Sequence, residues 1–169
     1  MIKRENAYFE ELKRIGHEYE EARVERQERK KQIIAQKQQK AQLNGRRILL
    51  AEDVQINAEI MLMVLQSREM ETEHAVNGKI AVDMFASHPE GYYDAILMDL
   101  RMPEMDGLEA TRQIRAMERE DAKDIPIIAL TANAFDEDVQ RSLQAGMNAH
   151  LSKPVQPDTL YQTLENLIK

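Results

Sequence analysis

From Arg46 onward the chain alternates between short apolar runs and segments whose apolar positions recur at helical spacing. Continuous apolar runs at residues 47–51, 95–98 and 125–130 predict buried strands. Weaker strand candidates are residues 69–75, which alternate apolar and polar positions, and residues 149–151. Between them lie helix-period segments at residues 56–66, 78–87, 108–118, 135–145 and 158–168. Asn77-Gly78, Pro89-Glu90-Gly91 and Asp106-Gly107 punctuate the boundaries as turns. Five such β/α repeats predict an α/β domain, a parallel sheet covered by helices on both faces.

Residues 1–44 have a different texture. They contain no proline and one glycine, and are rich in Glu, Lys, Arg and Gln, which predicts a long helix. Alternate steps of four and three pick out Tyr8, Leu12, Ile15, Tyr19 and Ala22, then Arg26, Arg29, Ile33, Gln36, Lys40 and Leu43. The apolar seam is dense from Tyr8 to Ala22 and sparse afterwards. A solvated helix, a helical linker and a coiled coil that pairs two chains all fit this pattern. Asn44-Gly45 is the expected helix stop, which gives a helical arm over residues 1–44 and a globular domain over 45–169.

Charge sharpens the division. The net charge of −7 combines an N-terminal part with 11 Lys and Arg against 8 Glu and a remainder with 12 against 22 acids. An acidic globular part argues against non-specific nucleic-acid binding, which depends on neutralising phosphates. There is no cysteine, so disulfides and thiolate metal ligands are excluded and a reducing, cytoplasmic setting suits the chain. No apolar run reaches the roughly 18 residues of a membrane span, and the charged N-terminus lacks the apolar core of a secretory signal.

In open parallel sheets, ligands bind beyond the carboxyl ends of the strands. No glycine-rich phosphate loop follows any predicted strand, which weakens nucleotide-binding readings. What stands at those ends instead is Glu52-Asp53, Asp99, Thr131-Ala132-Asn133 and Ser152-Lys153-Pro154, with nothing obvious after the second strand. If the first and third strands are neighbours, Glu52, Asp53 and Asp99 form a carboxylate cluster that needs a cation or protonation. An all-oxygen donor set favours a hard ion such as Mg²⁺. Lys153 offers a compact charge, Thr131 a hydroxyl, and small Ala132 leaves room for a phosphoryl group. No serine or cysteine is arranged as a nucleophile, so a carboxylate forming an aspartyl phosphate is what remains. Taken singly, these residues also have ordinary structural uses: Glu52-Asp53 as a helix N-cap, Thr-Ala-Asn as a turn, Lys-Pro as a loop.

The stretches ILLAEDVQIN, AILMDLRMPEMDGLEATRQIR, IIALTANAF and AHLSKP together resemble the receiver domain of two-component response regulators. The likeness covers residues 46–169 and is strongest to receivers of hybrid histidine kinases, where an Asn (here Asn57) often follows the first acidic pair. It implies a flavodoxin-like (βα)5 fold with strand order 2-1-3-4-5. It also implies that Asp99 accepts a phosphoryl group from a histidine kinase or histidine phosphotransfer protein. Asp53, Asp99 and the main-chain carbonyl of Arg101 would bind Mg²⁺, with Glu52 acting through a metal-bound water. Thr131 and Lys153 would hold the phosphoryl group, and Lys153-Pro154 would be cis. Arg101 and Asn133 would flank the phosphate entrance, and residues 134–144 with His150 would form the surface that responds. The donor would pack near the first helix of the domain. Two positions depart from the commonest pattern: Glu52 stands where Asp is frequent, and His150 where the switch residue is often Tyr or Phe.

Two rival readings fit less well. Phosphatases of the haloacid dehalogenase type also phosphorylate an Asp at a strand end, but need a second Asp two residues later, where this chain has Arg101. A receiver-like scaffold that no longer takes phosphate would not need Glu52, Asp53, Asp99, Thr131 and Lys153 together. The expected context is a segment of a larger kinase, serving as a switch or phosphorelay intermediate rather than as an enzyme in its own right.

Overall fold

The structure, a computed structural model, describes residues 2–39, 42–132 and 136–169. The chain divides into two compact units, residues 1–40 and 41–169. The first is a single helix, α1 (Ile2–Gln39). Its surface carries ladders of neighbouring charges, among them Arg14 to Glu11 and Glu18, each at 2.6 Å, and Arg23 to Glu20 at 2.6 Å. These are exposed i,i+3 and i,i+4 pairs, which support a helix weakly. No helix among the described residues is long and apolar enough to cross a membrane.

In the second unit, five strands alternate with helices: β1 (Arg47–Ala51), α2 (Gln55–Gln66), β2 (Glu71–Ala75), α3 (Gly78–Ser87), β3 (Ala95–Asp99), α4 (Gly107–Arg115), a four-residue α5 (Asp121–Asp124), β4 (Ile127–Thr131), α6 (Asp136–Ala145), β5 (Ala149–Ser152) and α7 (Pro157–Leu167). All strand pairs are parallel, in the order β2-β1-β3-β4-β5. This is the flavodoxin-like α/β sheet that the sequence pattern and the family resemblance lead one to expect.

Side chains alternate across the sheet and divide the core into two layers. Leu49, Ile96, Met98, Ile127 and Ala129 join Phe85 of α3 and Ile114 of α4 on one side. Ile48, Leu50, Leu97, Ile128 and Leu130 join Leu65 of α2 and Leu160 and Leu164 of α7 on the other. The three inner strands have no outward face, and their sequences are accordingly almost wholly apolar. The edge strands β2 and β5 are half-exposed and carry polar residues.

Several boundaries moved for identifiable reasons. Asn44-Gly45 does not cap α1; it is a turn in which Gly45 (φ 79°) donates to the Glu69 carbonyl at 2.8 Å. Leu43, the last position of the expected helical seam, is instead buried in the α2/α7 layer. Glu69 is in the left-handed region (φ 58°) at the end of α2, so β2 starts only at Glu71. Pro126 has no N–H to donate, and β4 starts after it at Ile127. The helix after β3 ends at Arg115, three residues before its expected end, and the short α5 was not legible at all.

The loop between β3 and α4 is clamped by two glycines. Gly107 donates to the Leu100 carbonyl at 3.0 Å, and Gly78 to the Met105 carbonyl at 3.2 Å. A Cβ on Gly107 would overlap the carbonyl oxygen of Asp99, and one on Gly78 would overlap that of Met105. Both approaches are backbone on backbone and cannot relax through a side chain. Gly107→Ala is therefore expected to destabilise the second unit by about 2 kcal/mol or more, read as a lower urea midpoint. Gly16→Ala, on exposed α1 with open space around it, is expected to leave that midpoint unchanged.

Candidate functional site

Parallel register brings the strand ends level. Ala51 lies beside Met98, Asp99 beside Leu130, and Thr131 beside Ser152. The residues next in line, Glu52-Asp53 after β1 and Lys153 after β5, therefore share one edge with Asp99 and Thr131. A cleft of about 370 Å³ opens there, lined by Asp53, Asp99, Arg101, Thr131, Ala132 and Lys153 among others.

The Lys153 ammonium lies between two carboxylates, 2.7 Å from Asp99 Oδ2 and 2.8 Å from Glu52 Oε2. Glu52 is fully buried and Asp99 is 6% exposed, while Asp53 faces solvent. Glu52, Asp53 and Asp99 each offer a carboxylate oxygen within 4.8 Å of the others. Three acids this close, with an ammonium already inserted between two of them, form a pocket of negative charge suited to a cation. With only oxygen donors, the set fits a hard divalent ion such as Mg²⁺.

Burial pushes the Asp99 carboxyl above its ordinary range; the Lys153 hydrogen bond opposes that rise and the neighbouring Glu52 charge adds to it. Burial depresses the Lys153 ammonium, but its hydrogen bonds to Asp99 and Glu52 outweigh this and hold it above its usual value. The ammonium is therefore held in its charged form, and burial is the main cost of ionising Asp99.

Two surroundings of the cluster were not legible. His74, on the strand judged to contribute nothing, places Nε2 2.7 Å from the Glu52 main-chain oxygen, and Glu52 N donates to the Ala75 carbonyl at 3.1 Å. The end of β2 thus holds the backbone of the acidic pair. The only sequence signal was a polar residue where β2 ends. Asp138 and Arg141 on α6 line the cleft as well; their i,i+3 spacing puts them on one helix face, but sequence gives no orientation for that face.

The other expected site residues are placed as follows. Arg101 lines the cleft, and its N–H donates to Asp99 Oδ1 at 3.3 Å. Thr131 is 5% exposed, and its carbonyl accepts from Lys153 N at 2.8 Å. Lys153-Pro154 is cis. His150 is exposed on β5 and lines a separate groove with Val155 and Thr159. Asn57 lines a second groove between α2 and the β5–α7 loop, with Glu52 and Pro154. Asn133, Ala134 and Phe135 lie outside the described residues. The acidic pair does not cap α2: the cap residue is Val54, with no side-chain cap bond, and Glu52 Oε1 instead accepts from Val54 N at 3.2 Å.

A doubly wound parallel sheet thus gathers three acids and one lysine at its carboxyl edge. The family model described as the response regulator receiver domain matches residues 48–165, and the chain belongs to that family. Among curated proteins it is 35% identical over 130 residues to hybrid signal transduction histidine kinase I of Dictyostelium discoideum, covering 76% of this chain and 8% of that protein. It is 37% identical over 138 residues to probable histidine kinase 2 of Oryza sativa subsp. indica, covering 75% and 13%. The chain thus spans a small fraction of the kinases it matches. A crystal structure of the receiver domain of a Pseudomonas aeruginosa sensor histidine kinase, with magnesium coordinated in its active site cleft, shares 42% identity, with 73% and 97% of the two chains covered and a TM-score of 0.66. The receiver domain of the Saccharomyces cerevisiae response regulator Ssk1, crystallised with the histidine phosphotransfer protein Ypd1, shares 31%, covers 73% and 89%, and has a TM-score of 0.66. The chain contains a receiver domain of two-component signalling, related to those of hybrid histidine kinases.

Because the folded carboxyl of Asp99 is raised above its unfolded value of 3.8, the native state binds more protons than the unfolded state just above that pH. The Asp99 charge therefore lowers stability as pH rises through the window, and the penalty persists above it. Asp99→Asn is expected to be more stable than wild type at neutral pH, by urea titration without divalent ions. That advantage should shrink as pH falls toward 3.8; an advantage that does not vary with pH would contradict this origin.

Proposed function

We propose that Asp99 takes a phosphoryl group from a phosphohistidine on a histidine kinase or histidine phosphotransfer protein, and that the domain acts as a conformational switch or phosphorelay intermediate. The observation that carries this reading is the ammonium of Lys153 lodged between Asp99 and Glu52, with a third carboxylate, Asp53, within reach. A P–N bond to the donor imidazole breaks as a P–O bond to Asp99 forms, and the imidazole takes a proton from solvent. Mg²⁺ would be held by Asp53, Asp99 and the Arg101 main-chain carbonyl, with Glu52 acting through water, and would offset charge on the transferring group.

Within the chain, the work divides by position. Asp99 supplies the nucleophilic oxygen, and burial keeps water scarce around it. Lys153 hydrogen-bonds Asp99 before transfer and a phosphoryl oxygen after it. Thr131 offers its hydroxyl to another phosphoryl oxygen from the end of β4. Arg101 flanks the entrance. Pull on Thr131 and Lys153 would shift the segment joining β4 to α6 and β5 between two pre-existing arrangements, with His150 reporting the change at the surface. A partner would read residues 134–144 and His150. The donor would dock beside α2, where Ile56, Ile60 and Met63 are at least half exposed. We take residues 1–44 as a helical arm, residues 45–169 as the receiver, and the cytoplasm as its setting, which a cysteine-free chain suits.

The phosphatase reading lacks support at the required position. Arg101 stands two residues after Asp99 and lines the same cleft, and a guanidinium does not give up a proton at working pH.

Incubation with acetyl phosphate and Mg²⁺ is expected to add a single phosphoryl group, a mass gain of roughly 80 Da by intact mass spectrometry. Asp99→Asn should show none, and chelation of the metal should suppress it in wild type. An unmodified wild-type chain, or an adduct that survives Asp99→Asn, would refute the assignment. Lys153→Ala is expected to slow phosphorylation by about 10²-fold or more, the scale seen when one positioned donor is lost from a polar site.

A further inference from the structure

The N-terminal helix presents an unpartnered seam in the first compact unit. Tyr8, Leu12, Ile15, Tyr19 and Ile33 are each between 47% and 74% exposed. A 38-residue helix extends over roughly 57 Å, and a helix this long with a bare apolar stripe buries it by pairing. We infer that α1 forms a parallel, in-register, two-stranded coiled coil with a second copy of this chain.

The register follows from the spacing. Tyr8, Ile15 and Ala22 fall at d positions, and Leu12, Tyr19 and Ile33 at a positions, of one uninterrupted heptad frame. The charges flanking that frame then specify the partner and its direction. Glu11, Glu18 and Glu25 occupy three successive g positions, while Arg23 and Lys30 occupy e positions. In a parallel pair, each g residue faces the e residue five positions on in the other chain. That sets Glu18 opposite Arg23 and Glu25 opposite Lys30, twice each by symmetry. In an antiparallel pair g faces g and e faces e, so acids would face acids and bases would face bases. Charge complementarity is met only by a parallel copy.

The pairing has identifiable limits. Gly16 takes the e position that would answer Glu11, so that contact is missing. Arg26 and Arg29 occupy a and d positions, where their stems can pack but their guanidiniums must reach water. The tight part of the interface is therefore Tyr8–Ala22, with Ile33 closing the C-terminal end, and association is concentration-dependent. Glu18 now pairs with Arg14 of its own helix at 2.6 Å, and Arg23 with Glu20. Both are exposed pairs, so exchanging them for interchain partners is nearly neutral, and packing of the a and d residues drives assembly.

The test uses the full chain in the Asp99→Asn background, so that its outcome is independent of phosphoryl transfer. Light scattering after size exclusion should give a mass that rises with concentration toward twice the 19.6 kDa of one chain. The chain has no cysteine, so single introduced thiols report geometry. Tyr8→Cys and Ala22→Cys are both expected to form disulfide-linked dimers under mild oxidation, and Val24→Cys, on the opposite side of the helix, is not. Glu18→Lys with Glu25→Lys should weaken the dimer by at least about tenfold, and adding Arg23→Glu and Lys30→Glu should restore it. A mass that stays at 19.6 kDa at every concentration would overturn the inference. So would cross-linking at Val24→Cys equal to that at Ala22→Cys, or a charge reversal without effect.

Discussion

The carboxyl edge of the sheet depends on one ammonium. Lys153 directly follows the edge strand β5, yet its Nζ lies 2.7 Å from Asp99 at the end of β3 and 2.8 Å from Glu52 after β1. Glu52 is fully buried and Asp99 almost so. Two carboxylates could not share that space in ionised form without a cation between them. A single side chain thus ties the two flanks of the sheet together across β4, at the place where chemistry is proposed to occur. The lysine occupies the edge incompletely: Asp53 is left facing solvent, and Asp99 keeps a raised carboxyl.

The rest of the domain can be understood as what holds that edge level. Parallel pairing fixes the register so that the strands end together. Two apolar layers, one from α3 and α4 and one from α2 and α7, bury the inner strands on both faces. The loop after Asp99 is pinned through Gly107 and Gly78, whose missing side chains let backbone approach backbone. His74 and Ala75, on the other edge strand, bond the main chain of Glu52. None of these residues touches the cleft through a reactive group, yet each constrains one that does.

The two compact units have different physical characters. The receiver buries most of its large apolar side chains in two layers of its own, and its polar residues at the carboxyl edge are crowded. Among the described residues, the helix α1 buries none of its large apolar side chains, and its charges are spread along its length as weak local pairs. A helix of this kind has little reason to be stable beyond local propensity unless something covers its seam. In the coiled coil inferred above, a second copy would cover that seam.

Much of the fold is written locally. Inner strands buried on both faces must be apolar throughout, so β1, β3 and β4 are visible as runs, and helices against a sheet must show a 3.6-residue period. The gathering of Glu52, Asp53, Asp99, Thr131 and Lys153 was legible because each stands at or just beyond the carboxyl end of a strand. What the sequence left open were relations between distant segments. It placed Leu43 on the helical seam, whereas packing puts it in the α2/α7 layer. It assigned no part to His74, because the carbonyl it meets belongs to a residue 22 positions away. It could not show that Asp138 and Arg141 turn toward the cleft, because a helical period defines a face and not its direction. Local spacing determines which elements form and which residues stand at their ends. Only the packed sheet decides which of those ends meet, because proximity across strands is set by register and not by distance along the chain.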